Sequence, residues 1–237
     1  MPMKTFVFEH LLSGNTIYSP GTVTIDDAGM IEHVGSKEIQ GKEEIIKGFA
    51  VPGMPNLHSH AFQRAMLGHA ESGNPSVKDS FWTWRELMYS LVQKLEPSDI
   101  QAIAEFLYIE MLEAGYTSVG EFHYVHHKPG GAKYLPASRL GESILQAGNS
   151  AGIGMTLLPV LYLHGGFNQA PSDNQLRFVH KDLEAYLDLF QGLKQITDSM
   201  SDTILGVAPH SIRAVDFETL TSLLSNIDSD IPVHMHI

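Results

Sequence analysis

Two His-x-His triplets are the residues of this chain best placed to carry chemistry. His58 and His60 directly follow the apolar run 51–57, and His234 and His236 stand next to the end of the sequence. Alternate side chains of an extended chain point to the same side, so each pair could present two imidazoles to one metal ion. A single triplet is weak evidence, because one buried and one exposed histidine produce the same pattern. Two triplets, each at the carboxyl end of a predicted strand, favour a metal site.

The composition restricts the ligands that such a metal could have. The 237 residues include 13 histidines and no cysteine, which excludes disulfides, thiolate nucleophiles and cysteine-ligated zinc. Three imidazoles with one carboxylate and one water form a catalytic zinc environment, in which the water becomes acidic. We therefore expect a metal held by histidine and carboxylate.

Charge and hydropathy restrict the partners and the location. The net charge is −12, and no lysine or arginine cluster offsets it, so we expect no nucleic acid or membrane partner. No apolar run approaches the roughly 18 residues of a membrane span, and the first ten residues lack the apolar core of a signal peptide. These features predict a cytoplasmic protein with a small-molecule ligand.

The elements that must position the histidines follow an alternating pattern. Residues 1–50 contain short β-type runs separated by turns, which predicts part of a small N-terminal β domain. Beyond them, strands are predicted at 49–57, 117–122, 154–162, 204–208 and 231–237, and helices at about 97–114, 139–148, 175–195 and 216–225. Alternating strands and helices predict an α/β fold with a parallel sheet, whose functional loops follow the strands. The long loops are predicted at roughly 61–84, 126–138 and 163–174.

The number of predicted strands allows two architectures for residues 51–237. A (β/α)8 barrel takes about 250 residues, which is more than this region contains. The region is therefore either an open sheet of five strands or the first part of a longer barrel.

Four longer motifs resemble the amidohydrolase superfamily, and within it the formimidoylglutamate deiminases of histidine degradation. They are PGMPNLHSHAFQRAM at 52–66, DSFWTWRELMY at 79–89, EFHYVHH at 121–127 and HSIRAV at 210–215. The resemblance implies a TIM-type (β/α)8 barrel, of which residues 51–237 hold the first five strands. Residues 1–50 are then part of a small β-sandwich domain.

The resemblance also implies a set of zinc ligands. His58, His60 and His236 match the family's metal-binding histidines, and His234 is then a neighbour of the site. One Zn²⁺ is expected per subunit, with Fe²⁺ as an alternative. The family's catalytic Glu, a further His and the metal-binding Asp match positions beyond Ile237, so no catalytic residue is expected within this chain. We therefore expect the chain to be the nearly inactive N-terminal part of a homodimeric enzyme.

Five further residues match substrate contacts of the family. They are Gln63, Arg85, Tyr124, His210 and Arg213. Two arginines suit a substrate with two carboxylates, because a guanidinium binds a carboxylate through two parallel hydrogen bonds. The sequence leaves other roles open: the arginines could lie on the surface, the tyrosine hydroxyl could donate to a backbone carbonyl, and the histidine could be structural.

The resemblance predicts zinc-dependent hydrolysis of N-formimidoyl-L-glutamate to N-formyl-L-glutamate and ammonia. One alternative is another deaminase of the superfamily that acts on a purine, a pyrimidine or an adenosine-type base. Such a base needs stacking and amide contacts rather than two arginines. A second alternative is a non-catalytic, truncated remnant that still binds a metal or a ligand.

Overall fold

The computed structural model describes residues 3–36, 44–70, 80–167 and 169–237. The chain divides into two compact units, Met1–Gly53 and Met54–Ile237. Part of the predicted loop 61–84 lies outside the described residues, namely 71–79, which include the motif residue Asp79. Asn168 of the predicted loop 163–174 also lies outside them.

The first unit is a mostly antiparallel sheet, as the short β-type runs predict. Its strands are β1 (Lys4–Ser13), β2 (Thr16–Tyr18), β3 (Gly21–Ile25), β4 (Ile31–Gly35) and β5 (Ile45–Ala50). They follow the order β2-β1-β3-β4, and β5 pairs in parallel with β1. Val7 and Leu11 on β1 are buried, and the turn before β4 is held by the Asp26 carboxylate, which accepts hydrogen bonds from two backbone amides.

The second unit is a parallel sheet with helical connections. Its strands are β6 (Met54–Ser59), β7 (Tyr116–His123), β8 (Gly154–Leu161), β9 (Thr203–Leu205) and β10 (Ala208–Pro209). Its helices are α1 (Phe81–Val92), α2 (Pro97–Glu113), α3 (Arg139–Ala151), α4 (Leu183–Thr197) and α5 (Phe217–Ser225). β6, β7 and β8 are neighbours in that order, and both β9 and β10 pair with β8. Most of β8 is buried, as expected for a parallel strand covered on both faces.

Three of the predicted strands differ from the structure, and one of them, 204–208, is divided into β9 and β10. The run 49–57 is not continuous, because β5 ends at Ala50 and β6 begins at Met54. Pro52 separates them, since it has no amide to donate to a sheet ladder. Residues 231–237 form no regular strand, but Val233 makes a parallel bridge to Val207, and the His234 amide donates to the Val207 carbonyl at 3.0 Å. The last residues therefore follow the expected path of a fifth strand, and three backbone hydrogen bonds join them to the segment 207–210.

Two helices also differ from the predictions. α4 begins at Leu183 instead of residue 175, because the Asp182 side chain caps it by accepting a hydrogen bond from the Ala185 amide. The segment before α4 contains the buried Arg177, whose guanidinium donates hydrogen bonds to the Val92, Leu95 and His127 carbonyls. α1 lies partly within a predicted loop, and Ser80 starts it through a capping box.

The core of the second unit lies between the sheet and its helices. Fully buried side chains include Phe122 and Leu157 from the sheet and Ile100, Tyr108 and Ile144 from α2 and α3. None of the helices within the described ranges is long and apolar enough to cross a membrane. The helices thus pack against the sheet, and the carboxyl ends of its strands carry the polar residues of the candidate site.

Candidate active site

The first two candidate ligands lie where β6 leaves the regular sheet. Asn56 pairs with Val119, but Ser59 pairs with Glu121, so Leu57 and His58 fall in a local irregularity of the ladder. The Asn56 side-chain oxygen accepts a hydrogen bond from the His58 amide at 3.2 Å. His60 follows the last residue of β6 and precedes a short 3-10 helix, Ala61–Met66.

Three histidines meet at this end of the sheet. His58 Nε2 lies 3.1 Å from His60 Nε2 and 3.2 Å from His236 Nε2. One ring nitrogen from each of the three lies within 4.8 Å of the others. His234 contacts the opposite nitrogen of His58, with its Nε2 3.0 Å from His58 Nδ1. The structure therefore brings together the three predicted ligands and leaves His234 beside them.

The protonation of these histidines suits metal binding. Burial lowers the pKa of His60 to about 4 and the pKa of His236 to about 4. Burial and the neighbouring His234 also lower the pKa of His58. His60 Nδ1 lies 3.0 Å from the Phe122 carbonyl oxygen, which places the ring proton on Nδ1 and leaves the Nε2 lone pair facing the other two rings. Neutral imidazoles in this arrangement fit Zn²⁺, and they also fit Fe²⁺.

A cavity of about 260 Å³ opens beside the histidine cluster. His60 and His236 form part of its wall, together with the five predicted substrate contacts Gln63, Arg85, Tyr124, His210 and Arg213. The rest of the wall is mainly aromatic and includes Phe81, Trp84, Met88, Tyr89, Tyr162 and Phe178. Among the described residues of this wall, none is acidic, so the cavity offers positive charge and hydrogen-bond donors to a ligand.

Three tyrosine hydroxyls on the cavity wall each accept a hydrogen bond from a neighbouring side chain. Gln63 Nε2 donates to Tyr124 at 2.7 Å, Arg85 Nε donates to Tyr89 at 2.8 Å, and Gln175 Nε2 donates to Tyr162 at 2.9 Å. Burial raises the pKa of Tyr124 and the pKa of Tyr162, so both phenols keep their protons at neutral pH. A hydroxyl that already accepts one bond is well suited to donate its proton to an anionic ligand.

His210 and Arg213 approach the cavity from the turn after β10. The His210 amide donates to the Leu161 carbonyl at 2.9 Å, and the ring Nδ1 lies 3.1 Å from the Ser211 hydroxyl. Burial lowers the pKa of His210 to about 3, so the ring is neutral. The ring centroid is 5.1 Å from that of His236, which places this histidine next to the histidine cluster.

Sequence reasoning did not select several residues of this site. Tyr89 lies four residues after Arg85 on α1, and that helical spacing is a signal that could have identified it. Tyr162 directly follows β8, where functional residues are expected. Phe178 reaches the cavity from the segment before α4, and its position in the sequence carries no comparable signal. Trp82 lies outside the wall and is 65% exposed, whereas Trp84 lines the cavity.

Comparison with other proteins places these features in a family. The model of the amidohydrolase family matches residues 49–237. The chain is 53% identical over 196 residues to formimidoylglutamate deiminase of Pseudomonas aeruginosa, which covers 82% of this chain and 42% of that protein. It is 25% identical over 215 residues to 5-methylthioadenosine/S-adenosylhomocysteine deaminase of Haloarcula marismortui, which covers 90% of this chain and 41% of that protein. The chain thus spans less than half the length of these relatives.

Solved structures share the fold. An amidohydrolase from Brucella melitensis superposes with a TM-score of 0.91 at 39% identity, covering 98% of this chain and 51% of that one. Atrazine chlorohydrolase from Arthrobacter aurescens TC1, complexed with zinc, superposes with a TM-score of 0.73 at 18% identity, covering 98% of this chain and 52% of that one. The predicted α/β fold, a TIM-type barrel represented by its first strands, is confirmed. This chain belongs to the amidohydrolase family.

Proposed function

We propose that this chain supplies the metal and substrate contacts for hydrolysis of N-formimidoyl-L-glutamate to N-formyl-L-glutamate and ammonia. The observation that carries the proposal is the cavity beside the three histidines, because it combines Arg85 and Arg213 with tyrosine hydroxyls. Two guanidinium groups in a wall whose described residues include no acid suit a ligand with two carboxylates. The identity to a relative named formimidoylglutamate deiminase supports the same substrate.

His58, His60 and His236 are the residues that would hold the metal. When bound, Zn²⁺ or Fe²⁺ supplies Lewis-acid activation of water near neutral pH. One metal ion per subunit is proposed. No proton-transfer step is assigned to a residue of this chain, and a cytoplasmic location and a homodimeric state remain predictions.

The proposed substrate contacts act by orientation. Arg85 already uses its Nε on the Tyr89 hydroxyl, so its two terminal amino groups remain for a carboxylate. Arg213 would bind the second carboxylate, and the Gln63 amide is held by Tyr124 at the edge nearest His60. The aromatic wall limits the access of water, which strengthens these charged hydrogen bonds. His210 would accept or donate a hydrogen bond next to the group that is hydrolysed.

Calorimetric titration with N-formyl-L-glutamate tests the carboxylate contacts without requiring turnover. We expect Arg85→Ala and Arg213→Ala each to weaken binding by about 10- to 100-fold, because a charged hydrogen bond contributes roughly 1.5 to 3 kcal/mol. Arg139→Ala is the matched control, since this arginine lies on α3 beside Glu142 and outside the cavity wall. If the dianion binds the two cavity variants as tightly as it binds the control, the proposed substrate is wrong.

A base deaminase is the second candidate function, and the likeness to the methylthioadenosine deaminase is the observation that favours it. Titration with guanine and adenosine separates the two candidates. A neutral base gains from stacking on the aromatic wall and little from the arginines, so its binding should not respond to Arg85→Ala. If neither a base nor the dicarboxylate binds and ammonia release is absent, the non-catalytic alternative is favoured.

A further inference from the structure

Glu121 is a buried carboxylate directly beside the first two candidate ligands, and we infer that it is a positioning residue for them. This inference rests on the proposed metal site. The side chain belongs to β7 and is 1% exposed. Its Oε1 accepts a hydrogen bond of 2.7 Å from the amide of Ala61, the residue that follows His60. The contact therefore holds the backbone at the point where the ligand-bearing segment leaves the sheet.

The neighbouring residue of β7 holds the ring of His60. The Phe122 carbonyl oxygen lies 3.0 Å from His60 Nδ1. Two consecutive residues of β7 thus hold two consecutive residues of the ligand segment, one through the backbone amide of Ala61 and one through the imidazole of His60. With both fixed, His60 Nε2 is directed at His58 and His236. Groups that orient the ligands in this way influence metal affinity although they do not touch the metal.

The Ala61 amide needs a partner from outside its own helix. Ala61 is the first residue of the 3-10 helix, where the amide has no partner within the helix, and it is fully buried. The residue before it, His60, makes no capping hydrogen bond with its side chain. Glu121 supplies the missing acceptor, and a negative group also suits the positive end of a helix.

No cation explains the burial of this carboxylate. Within the described part of the chain, Glu121 forms no ion pair with a lysine or arginine. Burial raises the pKa of Glu121, which reflects the cost of keeping a charge there, and hydrogen bonding to the Ala61 amide and to the Ser59 and Tyr108 hydroxyls opposes that rise. The Ala61 amide is the largest of these three opposing effects, and it lies directly beside His60.

A series of substitutions separates positioning from general stability. Glu121→Leu has a similar size and no acceptor, whereas Glu121→Gln keeps an oxygen that can accept from the Ala61 amide. Glu110→Gln is the matched control, because Glu110 on α2 accepts two hydrogen bonds of 2.7 Å from Arg64 of the same 3-10 helix. The dissociation constant for Zn²⁺ is measured by competition with a chromophoric chelator, and the thermal midpoint is measured on metal-free protein.

We expect Glu121→Leu to raise the zinc dissociation constant by about 10- to 100-fold and Glu121→Gln to stay within about threefold of the original chain. Glu110→Gln should bind zinc normally even if it lowers the thermal midpoint. Should the leucine variant not fold, Glu121→Asp replaces it, because its carboxylate is one methylene too short to reach the Ala61 amide.

Two results would overturn the inference. One is zinc affinity of the leucine or aspartate variant equal to that of the original chain. The other is a loss in Glu110→Gln as large as that in Glu121→Leu, which would show a general effect of loosening the 3-10 helix. Failure of the proposed metal site is distinguishable, because the original chain and a His60→Ala variant would then bind zinc equally weakly.

Discussion

At the scale of the single residue, burial determines which groups of the site carry protons. The imidazoles of His60, His236 and His210 are neutral, because burial lowers the pKa of His60 and of His236 to about 4 and the pKa of His210 to about 3. The phenol of Tyr124 stays protonated because burial raises its pKa. Burial thus keeps the His60 and His236 nitrogens free to bind a metal and keeps the Tyr124 hydroxyl able to donate a hydrogen bond.

Tyr89 is expected to act through Arg85. Its hydroxyl accepts from Arg85 Nε at 2.8 Å, and the guanidinium carbon lies 5.1 Å from the centre of its ring. Tyr89→Phe keeps the ring contact and removes the acceptor, so the arginine loses its fixed orientation. We expect about fivefold weaker binding of N-formyl-L-glutamate, which corresponds to roughly 1 kcal/mol for one hydrogen bond.

Calorimetric titration measures this effect, with Tyr116→Phe as the control. Tyr116 begins β7, at the opposite end of the strand from the site. A Tyr89→Phe variant that binds the dianion as well as the control does would show that Arg85 needs no such support.

At the scale of the element, β6 approaches β7 so closely that position 120 has no room for a side chain. A Cβ atom on Gly120 would lie 2.8 Å from the Leu57 carbonyl oxygen and 3.2 Å from its carbonyl carbon. This contact lies at the irregularity of β6 that contains His58. The glycine thus permits the approach of backbone that places the first candidate ligand.

Gly120→Ala should therefore move β6 away from β7. We expect the free energy of unfolding to fall by about 1 to 3 kcal/mol, the usual cost of an atom inserted into a packed interior. Zinc affinity should fall together with it. Urea denaturation measures the first effect, and Gly192→Ala is the control. A Cβ on Gly192 meets Ser138 at an ordinary 3.4 Å, and alanine favours the helix in which it lies. Equal stability of the two variants would contradict the argument.

At the scale of the whole molecule, the candidate metal joins distant parts of the chain. His58 lies on β6 and His60 directly follows it, whereas His236 lies in the segment after α5. Bound Zn²⁺ should hold this segment to the sheet and stabilise the native state by about 2.7 kcal/mol at a free concentration 100 times its dissociation constant. A chelator should therefore lower the thermal midpoint of the zinc-loaded chain.

Thermal unfolding with and without the chelator measures this effect. The His236→Ala variant should respond much less, because one of its three ligands is missing. A midpoint that the chelator does not change in the original chain would contradict a stabilising metal.

A second group of buried histidines makes stability depend on pH. His180 packs against His126, His127 and Tyr186, and burial lowers the pKa of His180 to about 3. Burial also lowers the pKa of His126 far below its usual value. Above pH 6.5 these rings are neutral in both the folded and the unfolded chain, so their contribution is constant. As the pH falls from 6.5 towards 3, these histidines bind protons in the unfolded chain but not in the folded chain. The free energy of unfolding therefore decreases.

We expect each such histidine to lower the free energy of unfolding by up to about 1.4 kcal/mol per pH unit between pH 6.5 and 3. His180→Asn should therefore reduce the slope of unfolding free energy against pH between 6.5 and 5. Urea denaturation of metal-free protein at several pH values measures the slope. His69→Asn is the control, since His69 is exposed. An unchanged slope in the His180 variant would show that this ring is protonated in the folded state.

Much of the site could be predicted from sequence because its signals are local. The period of two along a strand pairs His58 with His60, and the alternation of strands and helices brings the strand ends to one edge. The four longer motifs supplied Gln63, Arg85, Tyr124, His210 and Arg213, and all five line the cavity. The absence of cysteine limited the possible metal ligands before any geometry was known.

The tertiary structure decided what depends on contacts between distant segments. The segment before α4 contains the buried Arg177, whose guanidinium donates to carbonyls far away in the chain, at Val92, Leu95 and His127. Glu121 meets Ala61 only because β6 and β7 pair with an irregularity at His58. Local periodicity determines which residues share a face, but the partner of a buried polar group depends on where the folded chain brings another donor or acceptor.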